Sequence, residues 1–329
     1  MFSWVPFVKI IAITGASGFI GLHLVQALLR QSGVRLKVLS RQAHFESNRS
    51  IFPPEVDVVR GDLRSRDSLK GFLEKGCTVI NLVYIGDAGE EANLSAIRNL
   101  LAECKLVKVA RLIHCSTADV AGRSLDRRVT ELSTCNPVTS YARTKLKVEE
   151  TVLSARQDGY EVTVLRPTAV FGPGGQNLKK LAHDLLMGSR LRNDFKLMLF
   201  GQRRMNLVHI DNVVAAILFL ANPARSVQNG IFIVSDDDAP SNEFSSVDLA
   251  MRQGLGANGS WSSVFLPLWM LSLALRALRK NNIDPSCIYD PGKLLSLGFS
   301  RPVTFDEGLS RYIAWYRSEY LSRTAKANS

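Results

Sequence analysis

Two hydrophobic periods alternate along this chain. Short apolar runs at 10–13, 36–39, 56–60, 78–84, 111–114, 161–165 and 230–234 have the length and β-branched content of buried strands. The 78–84 run (TVINLVY) is apolar almost throughout, as expected of a strand in a parallel sheet covered on both faces. Between the strands, apolar residues recur at helical spacing. Leu22, Val25, Leu28 and Leu29 share one face, and Leu94, Ile97, Leu100 and Leu101 another. Further helices are expected at 68–75, from 140 to 156, at 212–220, at 243–255 and at 264–280. Strand and helix in strict alternation predict an α/β fold, a Rossmann-type doubly wound parallel sheet. From residue 171 the alternation breaks down. We therefore expect one larger domain at 1–170, rejoined by 207–235, and a smaller interleaved C-terminal domain from 171–206 and 236–329.

The first strand runs into Thr14-Gly15-Ala16-Ser17-Gly18-Phe19-Ile20-Gly21 and then a helix. Gly15 allows a tight turn, Gly18 a close approach of backbone to phosphate, and Gly21 close packing of helix on strand. With Ser17, Phe19 and Ile20 they form a cradle in which free N–H groups and the positive helix end face a pyrophosphate. The second strand ends in Ser40-Arg41, without the acidic residue that would bind the adenosine ribose hydroxyls. Arg41 instead suits a 2′-phosphate, which points to NADP(H) rather than NAD(H). Asp62, followed by Leu63, ends the third strand where it can accept from an adenine amino group. Leu82 and Val83 end the fourth beside the same ligand.

The fifth strand ends in Ser116-Thr117, hydroxyls placed either for chemistry or to cap a turn. Tyr141 follows 24 positions after Thr117, and Lys145 lies four further on, on the same helical face. A tyrosine titrating near ~10 is a poor base at neutral pH, and a neighbouring ammonium favours its phenolate.

With these residues in place the chain resembles the extended short-chain dehydrogenase/reductases, the NAD(P)-dependent epimerases, dehydratases and reductases of nucleotide sugars. The matching stretches are TGASGFIG (14–21), GDL (61–63), CSTADVAG (115–122), YARTK (141–145), LRPTAVFGPG (165–174) and NLVHIDNV (206–213). The resemblance implies a catalytic set of Thr117, Tyr141 and Lys145, with Tyr141 as acid/base, Lys145 orienting the ribose, and Thr117 binding the reacting oxygen. It also brings Pro167, after Arg166, close to the nicotinamide, and it implies a homodimer through helices 93–106 and 140–156. Three departures stand out. Val83-Tyr84 replaces a small Ala-Ala pair, Ala121 replaces a tyrosine, and Met205 stands where many members keep a diphosphate-binding arginine. Arg203 or Arg204, with Asn177, is the expected substitute. The reaction this suggests is reduction of a 4-keto nucleotide sugar. Alternatives are a 4-epimerase with retained NAD, an oxidoreductase of a steroid-like alcohol or ketone, and a catalytically silent nucleotide-sensing subunit.

Charge and composition change little. The chain of 329 residues carries a formal charge of +11, and seven of its basic residues, against two acids, fall between Asn177 and Arg204. No stacking aromatic series accompanies them, so a small polyanion fits better than nucleic acid. Five cysteines without a CxxC pair suit reduced thiols and a cytoplasmic setting, not a disulfide framework or a metal site. Asp236-Asp237-Asp238 is expected to be a solvated loop. Residues 1–9 lack a signal-peptide pattern, and the apolar run at 264–278 is too short to span a membrane. That run could rest on a membrane surface. We expect it to be a buried or partner-facing helix.

Overall fold

The computed structural model describes residues 9–41, 51–124, 126–222, 230–257, 264–277 and 282–327. In chain order its elements begin with β1 (Lys9–Thr14), α1 (Phe19–Leu29), β2 (Val34–Ser40), β3 (Val56–Arg60), β4 (Thr78–Asn81), α2 (Gly89–Val107) and β5 (Arg111–Cys115). There follow β6 (Arg128–Val129), α3 (Ser140–Ser154), β7 (Glu161–Pro167), β8 (Ala169–Phe171), α4 (Lys179–Met187), α5 (Arg190–Phe200) and β9 (Leu207–His209). The last are α6 (Ile210–Leu220), β10 (Ile231–Val234), α7 (Phe244–Leu255), α8 (Leu268–Ala277), β11 (Ile288–Tyr289), α9 (Gly292–Ser296) and α10 (Phe305–Ala327).

Seven strands form one sheet in the order β10-β7-β5-β4-β1-β2-β3. From β5·β7 through β2·β3 every neighbouring pair is parallel. The chain leaves β1 toward β2 and β3, then returns to the other side of β1 for β4, β5 and β7. This reversal beside β1 opens a crevice at the carboxyl ends of the strands, where open α/β sheets bind ligands. On one sheet face Ala12, Val79, Leu112 and Val162 pack against Leu94, Ile97 and Leu100 of α2 and Val148 and Val152 of α3. The doubly wound Rossmann sheet expected from the alternation is the observed one. In α1 the buried stripe is Leu24, Val25 and Leu28, while Leu22 and Leu29 are exposed. Only a short 3₁₀ turn, Arg66–Leu69, forms where a helix was expected at 68–75.

The chain divides into two compact units. One holds the residues up to Thr117, Ser140–Arg166 and Ala216–Phe232; the other holds Ala118–Thr139, Pro167–Ala215 and the residues from Ile233 onward. Residues 118–139, inside the span expected for the dinucleotide domain, thus cluster with the second unit. That unit pairs β8 with β9 and β6 with β11, both parallel. Its core gathers Phe171, Leu185, Val247, Met251, Phe305, Leu309 and Tyr312 from β8, α4, α7 and α10.

Two expectations fail in this unit, for physical reasons. Asp236 and Asp237 are not solvated: both are buried. Asp236 accepts from the His209 and Asn212 nitrogens and from Arg301. Asp237 accepts from Asn206, from Asn242 and from the Tyr289 backbone N–H. Burial raises the Asp237 carboxyl to about 7. Since the folded state holds this proton above the unfolded pKa near ~4, its share of stability falls as pH rises from about 4 to 7. Asp237→Asn carries no such proton. Its stability relative to wild type should therefore improve by up to about 1.4 kcal/mol per pH unit across that window, measured by urea unfolding. Second, the helix expected at 212–220 starts at Ile210, which puts Asp211 in its first turn, where its N–H donates to Nδ1 of the buried His209. The helix at 264–280 shortens to α8, residues 278–281 lying outside the described residues, and it is not buried throughout. Leu271 and Leu275 face inward, whereas Trp269, Met270 and Leu273 are exposed.

Candidate active site

The cradle follows β1 because two of its glycines do what no other residue can there. Gly15 has φ +76°, and a Cβ on it would meet the Leu82 carbonyl carbon at 3.0 Å. A Cβ on Gly21 would lie 2.4 Å from the Gly15 oxygen, so α1 can start this close to the turn only with glycine there. Beside the cradle lies a cavity of about 630 Å³. Of the residues expected to hold a dinucleotide, Gly15, Ser17, Gly18, Arg41, Asp62, Leu63, Leu82 and Val83 line it, together with Arg64 and Tyr84. Phe19, Ile20 and Gly21 form the first turn of α1 and are not among its lining residues. The apolar stretch after Asn81 lines this cavity instead of extending β4, which stops at Asn81 rather than at Tyr84.

Asp62 does not stand alone at the cavity wall. Its carboxylate accepts from the Arg64 backbone N–H at 2.9 Å and from the Arg64 guanidinium at 3.0 and 2.6 Å. These bonds, outweighing partial burial, hold the Asp62 carboxyl below its ordinary range. Arg64 is a residue that sequence reasoning missed, although a cation two places after an aspartate at a strand end was there to be read.

At the next strands inward, Thr14, Asn81 and His114 lie side by side in register across β1, β4 and β5. Thr14 Oγ1 donates to Asn81 Oδ1 at 2.6 Å, and Asn81 Nδ2 donates to His114 Nδ1 at 3.0 Å. Burial holds the His114 imidazole neutral, well below its usual pKa, and so keeps it an acceptor. This polar bar ties three central strands together at their carboxyl ends.

Helix α3 brings up the remaining groups. Lys145 is buried, and its Nζ donates to the Cys115 carbonyl at 2.7 Å, which fixes α3 to the end of β5. Burial lowers the Lys145 pKa. Tyr141, one turn earlier and 38% exposed, packs edge-on against Tyr84 with ring centroids 4.9 Å apart. The Lys145 ammonium lies 5.9 Å from the centroid of the same Tyr84 ring. Tyr84, read from sequence only as a departure from Ala-Ala, thus touches both. Thr117 is half-buried just beyond β5. Its neighbour Ser116 has its Oγ buried with no hydrogen-bond partner among the described residues. Below Lys145, Arg166 of β7 and Glu149 of α3 form a buried ion pair, with Nε 3.1 Å from each carboxylate oxygen.

The other predicted residues lie in the second unit or on its boundary. Pro167 closes β7. Asn177 Nδ2 donates to the Val170 carbonyl. Arg204 Nη1 donates to the Ala239 and Pro240 carbonyls. Desolvation lowers the pKa of Arg203, and Met205 packs against the apolar core.

A glycine turn whose Cβ space is closed, a cavity at the strand reversal, and a tyrosine and buried lysine one turn apart define a Rossmann-type oxidoreductase site. The donor set fits a nicotinamide dinucleotide. The sequence profile of the NAD dependent epimerase/dehydratase family matches residues 11–235, and the chain belongs to that family, among the extended short-chain dehydrogenase/reductases. The human short-chain dehydrogenase/reductase family 42E member 1 is 28% identical over 290 residues, covering 79% of this chain and 70% of that protein. Human sterol-4-alpha-carboxylate 3-dehydrogenase, decarboxylating, is 30% identical over 172 residues, covering 49% of this chain but 44% of the relative. Among solved structures, the UDP-glucuronic acid 4-epimerase of Bacillus cereus, in complex with NAD, superposes with a TM-score of 0.70. It is 20% identical, over 95% of this chain and all of that one, a likeness of fold. Among the described residues no helix is long and apolar enough to cross a membrane, and no cluster of side chains could hold a metal ion.

Proposed function

We propose that the protein is an NADP(H)-dependent oxidoreductase interconverting a secondary alcohol and a ketone on a hydrophobic, steroid-like substrate. The observation that carries the substrate class is the employment of Arg204 and Met205. Arg204 is spent on two backbone carbonyls, and Met205 is part of the apolar packing. A diphosphate would need cations free to receive it. The sterol dehydrogenase among the relatives supports the same class. The nucleotide-sugar reading draws on structures whose likeness is one of fold.

When bound, the nicotinamide dinucleotide supplies or takes up the hydride. The chain's own residues manage the proton and the geometry. In the reducing direction the Tyr141 hydroxyl gives its proton to the substrate oxygen, and the Thr117 hydroxyl donates a hydrogen bond to that oxygen. The buried Lys145 ammonium favours the tyrosinate left behind, and its bond to the Cys115 carbonyl keeps it in place. Arg41, at the cavity wall, offers a planar fork to a 2′-phosphate, and Asp62 engages Arg64 beside it.

One assay with two arms tests this. Purified protein should oxidise NADPH with 3-keto steroids or alkyl ketones and not with a 4-keto nucleotide sugar; the opposite preference would overturn the substrate class. In the second arm Arg41→Ala should weaken NADPH by about tenfold or more, the scale of a lost charge-assisted bond, while leaving NADH nearly unchanged. Equal loss for both would remove the 2′-phosphate role.

A further inference from the structure

Helix α8 is apolar on two faces, and only one of them is used. Leu271 and Leu275, four apart, are buried. Trp269 and Leu273, also four apart, are 65% and 58% exposed, with Met270 exposed beside them. Together with Ser272, Arg276 and Ile283, Trp269 and Leu273 line an open groove of about 360 Å³. The lead-in to α8 is fastened to the end of α5. The Leu266 N–H donates to the Met198 carbonyl at 2.9 Å, and the Phe265 ring fills the space where a Cβ on Gly201 would stand. Helix α5 carries a second unpartnered apolar pair at the same spacing, Leu191 at 82% and Phe195 at 57% exposure. Exposed large apolar side chains that line one groove, as Trp269 and Leu273 do, mark an interaction surface.

The surrounding charge selects the occupant. From residue 249 to residue 283 the sequence holds no Asp or Glu, and Arg276 lines the groove itself. Helices α4 and α5 carry five cations, Lys179, Lys180, Arg190, Arg192 and Lys196, against two carboxylates, of which Asp184 is faced by Lys180, Arg192 and Lys196 at 3.1, 3.2 and 2.6 Å. That crowding draws the Asp184 carboxyl down to about 2. The helices that carry the exposed apolar side chains, and α4 beside them in sequence, are therefore net positive. A tryptophan and leucines on a short helix, flanked by cations and without the length to span a bilayer, fit the plane of an anionic membrane surface.

We infer that α8, with the exposed side chains of α5, is an interfacial docking surface for an anionic phospholipid bilayer. The apolar side chains enter the headgroup–acyl boundary, and the arginines and lysines meet the phosphates. This does not rest on the substrate assignment, since binding is scored without turnover.

Sedimentation of the full chain with vesicles of phosphatidylcholine, with and without phosphatidylserine, is the test. The protein should pellet with the phosphatidylserine vesicles and be partly released by raised salt. Trp269→Glu with Leu273→Glu should lower the partition by about tenfold or more, because both buried apolar groups are lost. Arg276→Gln alone should lower it by about fivefold. Dinucleotide binding by each variant certifies that it is folded. Wild-type protein remaining in the supernatant overturns the inference, as does a folded double variant that pellets like wild type. If wild type instead self-associates, binds no vesicles, and the double variant is monomeric, the surface is a contact between copies and the lipid assignment is wrong.

Discussion

Tyr141→Phe lowers kcat by about 10²- to 10⁴-fold while leaving dinucleotide affinity and thermal stability close to wild type, the range expected when a positioned proton donor is removed. The contrast between those readouts is what makes the result informative. The phenylalanine keeps the ring that packs edge-on against Tyr84 at 4.9 Å, so α3 loses no apolar contact. Lys145 keeps its bond to the Cys115 carbonyl, so the end of β5 stays tied to the helix. Only the hydroxyl goes. Stopped-flow measurement of the hydride step and fluorescence titration of the dinucleotide separate chemistry from binding. Undiminished turnover would place the proton donor elsewhere, and Tyr84, in contact with both Tyr141 and Lys145, would be the first residue to replace.

Glu149→Gln destabilises the fold by about 3–5 kcal/mol, because it leaves the Arg166 guanidinium buried without its counter-charge. Both side chains are almost wholly removed from water, and Arg166 reaches both carboxylate oxygens. Urea unfolding should show the loss as a lower midpoint at unchanged slope. The pair lies close to Lys145: Glu149 is one helical turn after it on α3, and Arg166 is on β7. Replacing both, as Glu149→Leu with Arg166→Met, should recover most of the stability, since no buried charge is then left alone. A double variant as unstable as the single one would mean that packing, not the unpaired charge, sets the cost.

Much of the catalytic unit was legible because its signals are local. The 56–60 strand matches β3 to the residue, and the glycine turn needs only a strand before it and a helix after it. The Tyr141–Lys145 spacing carries its own geometry. Legibility stops where distant residues decide the outcome. Asp236 and Asp237 are held by Asn212, Arg301, Asn206 and Tyr289, all remote in sequence, so nothing adjacent distinguishes them from a solvated acidic turn. Residues 82–84 have strand composition, but their apolar side chains line the dinucleotide cavity, and composition does not tell one from the other. At 264–280 the sequence leaves a buried and a partner-facing helix open, for the same reason. Two apolar faces on one helix look like deep burial until Trp269 and Leu273 are found in the open.

The division into three segments per unit has a consequence for how the chain is made. β10, at one edge of the seven-stranded sheet, is Ile231–Val234. On a ribosome, the sheet cannot be completed until those residues have emerged. By then 118–139 and 167–215, two of the three pieces of the second unit, are already outside and waiting for 233 onward. No single nick or stop codon yields either unit free of segments of the other. Such a chain holds unfinished apolar surface through most of its translation and closes both cores late, the situation in which nascent chains lean on chaperones.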